Sequence, residues 1–169
     1  MSVPETVETL PQAEVKARVA ALKASGCNML VDLTCVDFLG FGAGTKNASP
    51  APEGRRFKLV YRLMELDLST GMVKRRVTLD SWVEDGPGPV SVKDLFPNAD
   101  WLEREVWDMF GVAFSDRPGL KRILMYPEFE GHPLRKDYPI KKRQPLIGPV
   151  DGPARERMTA ADLRPRIVE

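Results

Sequence analysis

The sequence predicts an α+β fold, a mainly antiparallel sheet with helices packed on one face, followed by an extended C-terminal tail. Two observations carry this prediction. The apolar patterns along the chain run in the order helix, strand, strand, strand, helix. After residue 140 prolines recur without any apolar periodicity. We therefore expect a single α+β domain over residues 1–140 and an extended or wrapping tail over residues 141–169.

The first two elements have different apolar patterns. Residues 11–25 predict a helix, because Val15, Val19 and Leu22 share one face and Gly26 follows as a stop. Residues 28–38 carry apolar side chains on both alternating faces, which is typical of a central, buried strand. A loop rich in glycine and proline follows over residues 39–54.

Two alternating segments then predict an antiparallel hairpin. Residues 56–67 and 72–79 both alternate apolar with charged side chains, the pattern of half-buried strands. The turn Ser69-Thr70-Gly71 joins them. A second loop covers residues 85–89, and a helical turn is expected over residues 91–96.

A second helix runs through the segment Glu103–Gly111. Asn98 or Asp100 can cap its start, and Gly111 stands where a left-handed residue ends a helix. Arg104 and Asp108 are four positions apart, a spacing that predicts an ion pair. The helix also carries one apolar stripe, which predicts a core-facing side and consists of Leu102, Val106, Met109 and Phe110.

The segment Glu130–Pro139 is basic and irregular. Its prolines and Gly131 exclude a continuous helix, so we expect His132 and Tyr138 to be extended. Residues 117–143 contain eight Lys or Arg residues and three acidic ones. Because such a backbone cannot satisfy its own polar groups, it must lie against a surface or stay solvated.

Composition excludes several classes of function. Two cysteines and one histidine cannot ligate a conventional iron–sulfur cluster, and no glycine-rich nucleotide motif is present. The net charge of +1 argues against a general polyanion binder. No apolar run reaches the length of about 18 residues that crosses a bilayer. Cys27 and Cys35 are expected to be reduced, since the N-terminus indicates a bacterial cytoplasmic protein.

Three segments together resemble a known family. Glu103–Gly111, Leu120–Leu124 and Glu130–Pro139, in this order and spacing, resemble the signature of the C subunit of the proton-pumping NADH:quinone oxidoreductase, respiratory complex I. One departure is visible, because a Gly-His-Pro usual in that family after the helix is Asp116-Arg117-Pro118 here. That leaves a role for a histidine at this turn open.

The resemblance implies a cofactor-free structural subunit of the peripheral arm, in the quinone module, that supports electron transfer from NADH to quinone coupled to proton translocation. It implies no activity of the isolated chain. FMN, iron–sulfur clusters and quinone are then expected in partner subunits. The partners implied are the D subunit, which holds the quinone site, and neighbouring iron–sulfur subunits. The expected location is the cytoplasmic face of the bacterial inner membrane, without a direct membrane span.

The signature residues are expected to form one docking surface for a neighbouring subunit and no catalytic site. From the residues alone, a solvated face is the favoured interpretation of Glu103 and Glu105, and the resemblance raises contact with a partner as the alternative. The expected interface residues are Glu103, Arg104, Glu105, Asp108, Arg122, His132, Leu134, Arg135, Lys136, Asp137 and Tyr138.

Three alternatives stay open at this point. The chain can be the equivalent subunit of a membrane-bound hydrogenase or of a ferredoxin- or deazaflavin-linked dehydrogenase. It can be a basic RNA- or lipid-binding module, although Tyr138 is the single aromatic residue beside its basic cluster and single-strand binders offer several. It can be a small hydrolase that uses His132 with Asp137. We favour the structural subunit of complex I, with the equivalent subunit of a related complex as the alternative within the same class, over the binding module and the hydrolase.

Overall fold

The computed structural model describes residues 3–40, 52, 54–83, 88–142 and 144. Most of the two predicted loops, and the tail beyond residue 144, lie outside these residues, so the predictions made for them stay open. The helices and strands within these described residues are β1 (Glu5–Leu10), α1 (Gln12–Ala24), β2 (Met29–Asp37), β3 (Phe57–Leu66), β4 (Val73–Trp82) and α2 (Ala99–Phe110).

The strands form one sheet in the order β1-β4-β3-β2. β2 pairs with β3 and β3 with β4 in antiparallel fashion, whereas β1 runs parallel to β4. The predicted α+β fold with a mainly antiparallel sheet is therefore confirmed.

The β3–β4 hairpin supplies the centre of the core. Leu59, Tyr61 and Leu63 on β3 and Val77 and Leu79 on β4 are at most 3% exposed, as their alternation predicts. Both helices pack on this face of the sheet, because the buried side chains of α1 and α2 belong to the same apolar cluster. Each such buried side chain contributes about 1.5–3 kcal/mol of burial free energy.

β1 was not predicted from the sequence. Its residues are largely polar and exposed, so it carries little hydrophobic signal. It is held by its pairing with β4 and by an ion pair to α1, in which Arg18 Nε and Nη2 lie 2.7 and 2.6 Å from the two carboxylate oxygens of Glu8. An edge strand of this kind is fixed by tertiary contacts that local patterning does not show.

The central position predicted for β2 is wrong, since β2 lies at the edge of the described sheet. A register shift between Leu30 and Asp32 interrupts its alternation. Leu30 and Leu33 both reach the core as a result, while Met29 and Val31 are 44% and 47% exposed. An inserted bulge residue thus imitates the two-sided apolar pattern of a buried strand.

The two cysteines are unpaired and buried, as predicted. Burial raises the pKa of Cys35 to about 12, so its thiol stays protonated. No helix within the described ranges is long and apolar enough to cross a membrane.

Candidate functional site

Helix α2 is the frame of the candidate site. It ends at Gly111, whose φ of 75° is left-handed and whose backbone N–H donates to the Trp107 carbonyl at 2.8 Å. Asn98 is the N-terminal cap residue by position, but its side chain donates instead to the Leu30 carbonyl at 2.8 Å. The predicted apolar stripe is confirmed, with its members Val106 and Met109 buried and Leu102 and Phe110 partly buried.

Asp108 on this helix is a fully buried carboxylate. Its Oδ2 accepts the three consecutive backbone N–H groups of Ile123, Leu124 and Met125 at 3.0, 2.9 and 2.9 Å. Its Oδ1 accepts from Arg122 Nη1 at 2.6 Å. Burial raises the pKa of Asp108, but these donors outweigh it and hold the pKa below its usual value. Asp108 therefore organises an irregular segment as a buried anion.

Arg122 extends the same network. Beyond its ion pair with Asp108, its Nη2 donates to the carbonyls of Phe129 and Gly131 at 2.7 and 3.0 Å. Its guanidinium also lies over the rings of Trp107 and Phe129, 5.6 Å from each centroid. Arg122 therefore connects α2, through Asp108, to the backbone carbonyls of Phe129 and Gly131.

The predicted Arg104–Asp108 pair is wrong. Arg104 Nε and Nη2 donate to the carbonyls of Lys121 and Arg122 at 3.1 and 3.0 Å, while Asp108 is occupied by Arg122. The spacing of the two side chains along the helix would allow an ion pair. Residues 121 and 122 instead provide hydrogen-bond partners for both side chains.

Glu103 is fully buried, so the solvated interpretation is wrong for it. Its Oε1 accepts the Val92 N–H at 2.9 Å, and its Oε2 accepts from Ser91 Oγ at 2.7 Å and Arg117 Nη1 at 2.8 Å. Glu105 is exposed, as the solvated interpretation expects.

Arg117, the residue at the departure from the family pattern, has a structural role. It pairs with both Asp100 and Glu103, and only 9% of its side chain is exposed. Asp116 accepts the Ser91 N–H at 2.7 Å. The turn is therefore anchored to α2 without a histidine.

Residues 132–138, which we call the capping segment, lie at the C-terminus of α2 and cap it. Three of the last carbonyls of the helix each accept one donor: Asp108 from His132 Nδ1 at 2.9 Å, Met109 from the Leu134 N–H at 3.1 Å, and Phe110 from Arg135 Nε at 2.5 Å. Carbonyl oxygens left unpaired at a helix end need such donors, and a cation there also complements the helix dipole. Because a carbonyl only accepts, His132 Nδ1 carries the proton.

The capping segment lies directly against Gly111. A Cβ at this position would lie 2.6 Å from His132 ring atoms and from Arg135 Nη2. No helix forms here, as predicted, but the segment is not extended: Arg135 N–H donates to the His132 carbonyl and Tyr138 N–H to the Arg135 carbonyl, which makes two successive turns.

A second anchor lies at the end of β2. Arg56 donates to Asp37 at 3.0 and 2.8 Å and to Asp137 at 3.0 and 2.6 Å, and the Lys136 N–H donates to Asp37 Oδ2 at 2.9 Å. Burial raises the pKa of Asp37, but the Arg56 guanidinium and the backbone donors lower it to about 2. Two carboxylates therefore share one arginine and fix residues 136–137 to the sheet.

The remaining predicted residues are more exposed. Leu134 is 53% exposed, and the ring of Tyr138 stacks on that of Phe129 with centroids 5.9 Å apart. His132 and Asp137 do not form the hydrogen-bonded pair that the hydrolase alternative requires, because the first binds the Asp108 carbonyl and the second binds Arg56.

Sequence reasoning missed Asp37, Arg56 and Arg117. Arg56 meets its two acidic partners across 19 and 81 positions of sequence, so no local spacing shows them. Arg117 was visible only as a departure from a pattern. Within the described part of the chain, no group of three or more His, Cys, Asp or Glu residues is arranged to hold a metal ion.

The comparisons with known proteins bear on the same segments. The family described as "Respiratory-chain NADH dehydrogenase, 30 Kd subunit" matches residues 8–144. The chain belongs to this family. The match covers both helices, the sheet and the capping segment, and it confirms the resemblance seen in the sequence.

Individual relatives agree with the family. The chain is 39% identical over 139 residues to NADH-quinone oxidoreductase subunit 5 of Thermus thermophilus, covering 82% of this chain and 63% of that protein. It is 37% identical over 147 residues to the C subunit of the NADH-quinone oxidoreductase of Trichlorobacter lovleyi, covering 84% and 80%. The chain thus spans less than two thirds of the Thermus relative's length.

A solved structure also matches. It is described as Nqo5 of the trypsin-resistant fragment (1-134), with 35% identity and a TM-score of 0.54 over 66% of this chain and 80% of that chain. The fold of residues outside the signature segments is therefore shared as well.

Proposed function

We propose that this chain is the cofactor-free structural C subunit in the peripheral arm of a proton-pumping NADH:quinone oxidoreductase. Its contribution is rigid docking in the quinone module, and it has no activity by itself. Family membership over residues 8–144 supports this proposal. The Thermus and Trichlorobacter relatives are both NADH-quinone oxidoreductase subunits, which favours this parent complex over a hydrogenase or a deazaflavin-linked dehydrogenase.

One observation carries the proposal: the two fully buried carboxylates of the signature, those of Asp108 and Glu103, are bound within the chain. The side-chain oxygens of Asp108 accept four hydrogen bonds and those of Glu103 accept three, and both carboxylates are fully buried. A catalytic acid or base needs a free site within reach of a substrate. These residues instead fix the backbone of the neighbouring irregular segments against α2, and so stabilise the conformation of the surface that those segments form.

The surface so held supplies the proposed contacts. Glu105, Leu134 and Lys136 are exposed, and half of the Asp137 side chain is accessible. Neighbouring apolar side chains add to them, since Leu124 is 57% exposed and Ile140 fully exposed. We assign direct contact to these outward residues, and support of the surface to the buried or half-buried members of the predicted set: Glu103, Arg104, Asp108, Arg122, His132, Arg135 and Tyr138.

The proposed partners are the D subunit, which holds the quinone site, and neighbouring iron–sulfur subunits. FMN, the iron–sulfur clusters and quinone are assigned to those partners. The proposed location is the cytoplasmic face of the bacterial inner membrane, reached through the complex.

The tail of residues 141–169 is proposed to wrap a partner beyond Gln144, whose side chain still donates to the Tyr138 hydroxyl of the domain at 2.8 Å. Their proline spacing leaves no apolar stripe with which to order the tail alone. The solved relative is itself a protease-resistant fragment, which supports a compact domain that is separate from the tail. Hydrogen exchange should show residues 145–169 protected in the assembled complex and unprotected in the free chain. Equal protection in both states would assign the tail to this subunit's own fold.

The proposal as a whole is tested by affinity purification of the tagged full chain from a native extract. Recovery of FMN, iron–sulfur and quinone-site subunits in fixed ratio is the expected result. Leu134→Asp should reduce that recovery because it places a charge in the contact surface, whereas Leu68→Asp, at the exposed hairpin turn, should not. Recovery of hydrogenase subunits or RNA, or of the chain alone, would contradict the proposal.

A further inference from the structure

A basic cleft lies beside Arg104 of α2, and its lining includes no residue of the capping segment. It has a volume of about 340 Å³ and is lined by Lys93, Arg104 and residues 116–121. This volume holds one or two side chains rather than a folded element.

The cleft carries uncompensated positive charge. Lys93 and Lys121 are exposed, and neither they nor Arg104 makes a salt bridge to any residue that the structure describes. Arg117 also lines the cleft, but acidic residues of α2 neutralise it. Among the described residues that line the cleft, Asp116 is the one acidic residue, and it accepts the backbone N–H of Ser91 at 2.7 Å. Three cations therefore face one carboxylate, although the whole chain has a net charge of only +1.

An exposed aromatic ring adjoins this charge. Trp101 is 60% exposed, and the guanidinium of Arg104 lies 5.1 Å from its ring centroid. Arg104 is itself fixed by two backbone carbonyls, so it links the ring to the cleft in a defined geometry. Tryptophan and arginine are enriched among the residues that dominate protein interfaces.

We infer that this cleft binds an extended acidic segment of a neighbouring subunit. Two carboxylates of the segment contact Lys93 and Lys121, and an adjacent apolar side chain packs on Trp101. The exposed ring favours a peptide over a free inorganic anion, because an inorganic anion has no apolar part to pack on it. This inference rests on the proposed function and names the chemistry of one partner contact, at lining residues that do not include Leu134 or Lys136.

The first test uses a photo-crosslinker in the assembled complex. Pro118 is exposed and lines the cleft without carrying charge, so p-benzoylphenylalanine at position 118 leaves the three cations and Trp101 in place. The same crosslinker at position 69, in the exposed β3–β4 turn, is the control. Mass spectrometry should identify a partner peptide rich in Asp and Glu at position 118 only. A crosslink to lipid, to a peptide without acidic residues, or to nothing would overturn the inference.

The second test reverses charge. The double variant Lys93→Glu with Lys121→Glu should lower the yield of that crosslink, and the retention of the chain in the complex at moderate salt, by about tenfold, because each exposed pair contributes up to about a factor of five. The matched control is Lys74→Glu with Arg76→Glu, two exposed cations on β4. Equal retention of both double variants would overturn the inference and leave the proposed function intact. A wild-type chain that recovers no complex subunits would instead refute the proposed function.

Discussion

The core of the sheet and the region around the end of α2 are held together by different physics. In the core, side chains such as Leu59 and Leu79 are completely buried and belong to the apolar cluster that includes the buried side chains of both helices. Around α2, two carboxylates are buried as well. Glu103 and Asp108 are as inaccessible as those leucines, yet each is surrounded by hydrogen-bond donors.

The difference arises from how the backbone polar groups of each region are paired. Regular strands and helices satisfy their own backbone, so apolar burial is enough to join them. The segment over residues 117–138 is irregular and has backbone N–H and C=O groups that no ladder pairs. A buried carboxylate can accept several such N–H groups, and an arginine can donate to several such carbonyls. The charged signature is therefore an internal frame for a segment without secondary structure.

The largest expected effect is that of Asp108→Ala. It leaves three backbone N–H groups and the Arg122 guanidinium without their acceptor, at a cost of about 3–5 kcal/mol in the free energy of unfolding. Urea denaturation measures this loss. Leu79→Ala in the core is the matched comparison, since it costs a similar amount, about 2–5 kcal/mol, through a cavity.

Hydrogen exchange separates these two variants. Asp108→Ala should raise exchange first at residues 122–135, whereas Leu79→Ala should raise it across the sheet. Uniform exchange in both variants would show that the two regions are not held separately.

A smaller effect is expected for Gly111→Ala. The left-handed φ of 75° alone costs a non-glycine residue about 1–2 kcal/mol. The new Cβ would also collide with His132 and Arg135 and displace the cap, so we expect about 3 kcal/mol in total.

Gly119→Ala provides the control for this prediction. Its φ of 72° is nearly the same, but a Cβ there meets nothing within 4 Å. The difference between the two variants in thermal or urea unfolding measures the contact with the capping segment. Equal destabilisation by Gly111→Ala and Gly119→Ala would mean that the capping segment does not pack closely against Gly111.

The smallest expected effect depends on pH. Because the pKa of Asp37 is about 2 in the folded chain and about 3.9 in an unfolded one, its ionisation stabilises the fold by about 2 kcal/mol above pH 4. This contribution is lost as the pH falls through about 2. The stability difference between wild type and Asp37→Asn should therefore narrow below pH 4. Asp137→Asn, which removes the more exposed partner of Arg56, should give a smaller difference at every pH.

How far the sequence predicts this molecule depends on the range of each interaction. The hairpin strands, α1 and the stripe of α2 follow from periodicities of two and 3.6 residues, which local patterning shows directly. The same periodicity gave the wrong position for β2, because the bulge between Leu30 and Asp32 inserts one residue and changes which side chains face the core.

The sequence identified several residues of the site, but it did not predict which residues bind one another. Family resemblance located Asp108, Arg122 and His132, yet their partners lie 14 and 24 positions away and a helical spacing rule paired Arg104 with the wrong residue. Arg56 carried no signal, since its second carboxylate is 81 positions distant. Interactions across an irregular segment have no periodicity to detect.

His132 allows the most direct test of the claim that the signature is a frame and not a catalytic site. Asparagine at this position places an amide donor near Nδ1 and can still cap the Asp108 carbonyl, but it cannot transfer protons near neutral pH. Alanine removes both properties. Yield of assembled complex, and NADH:quinone turnover per bound FMN, should be measured for both variants.

We expect near wild-type assembly for His132→Asn, reduced assembly for His132→Ala, and unchanged turnover per assembled complex in both. Fully assembled His132→Asn complex, with its cofactors intact but most of its turnover or proton pumping lost, would contradict the role of the signature as a frame.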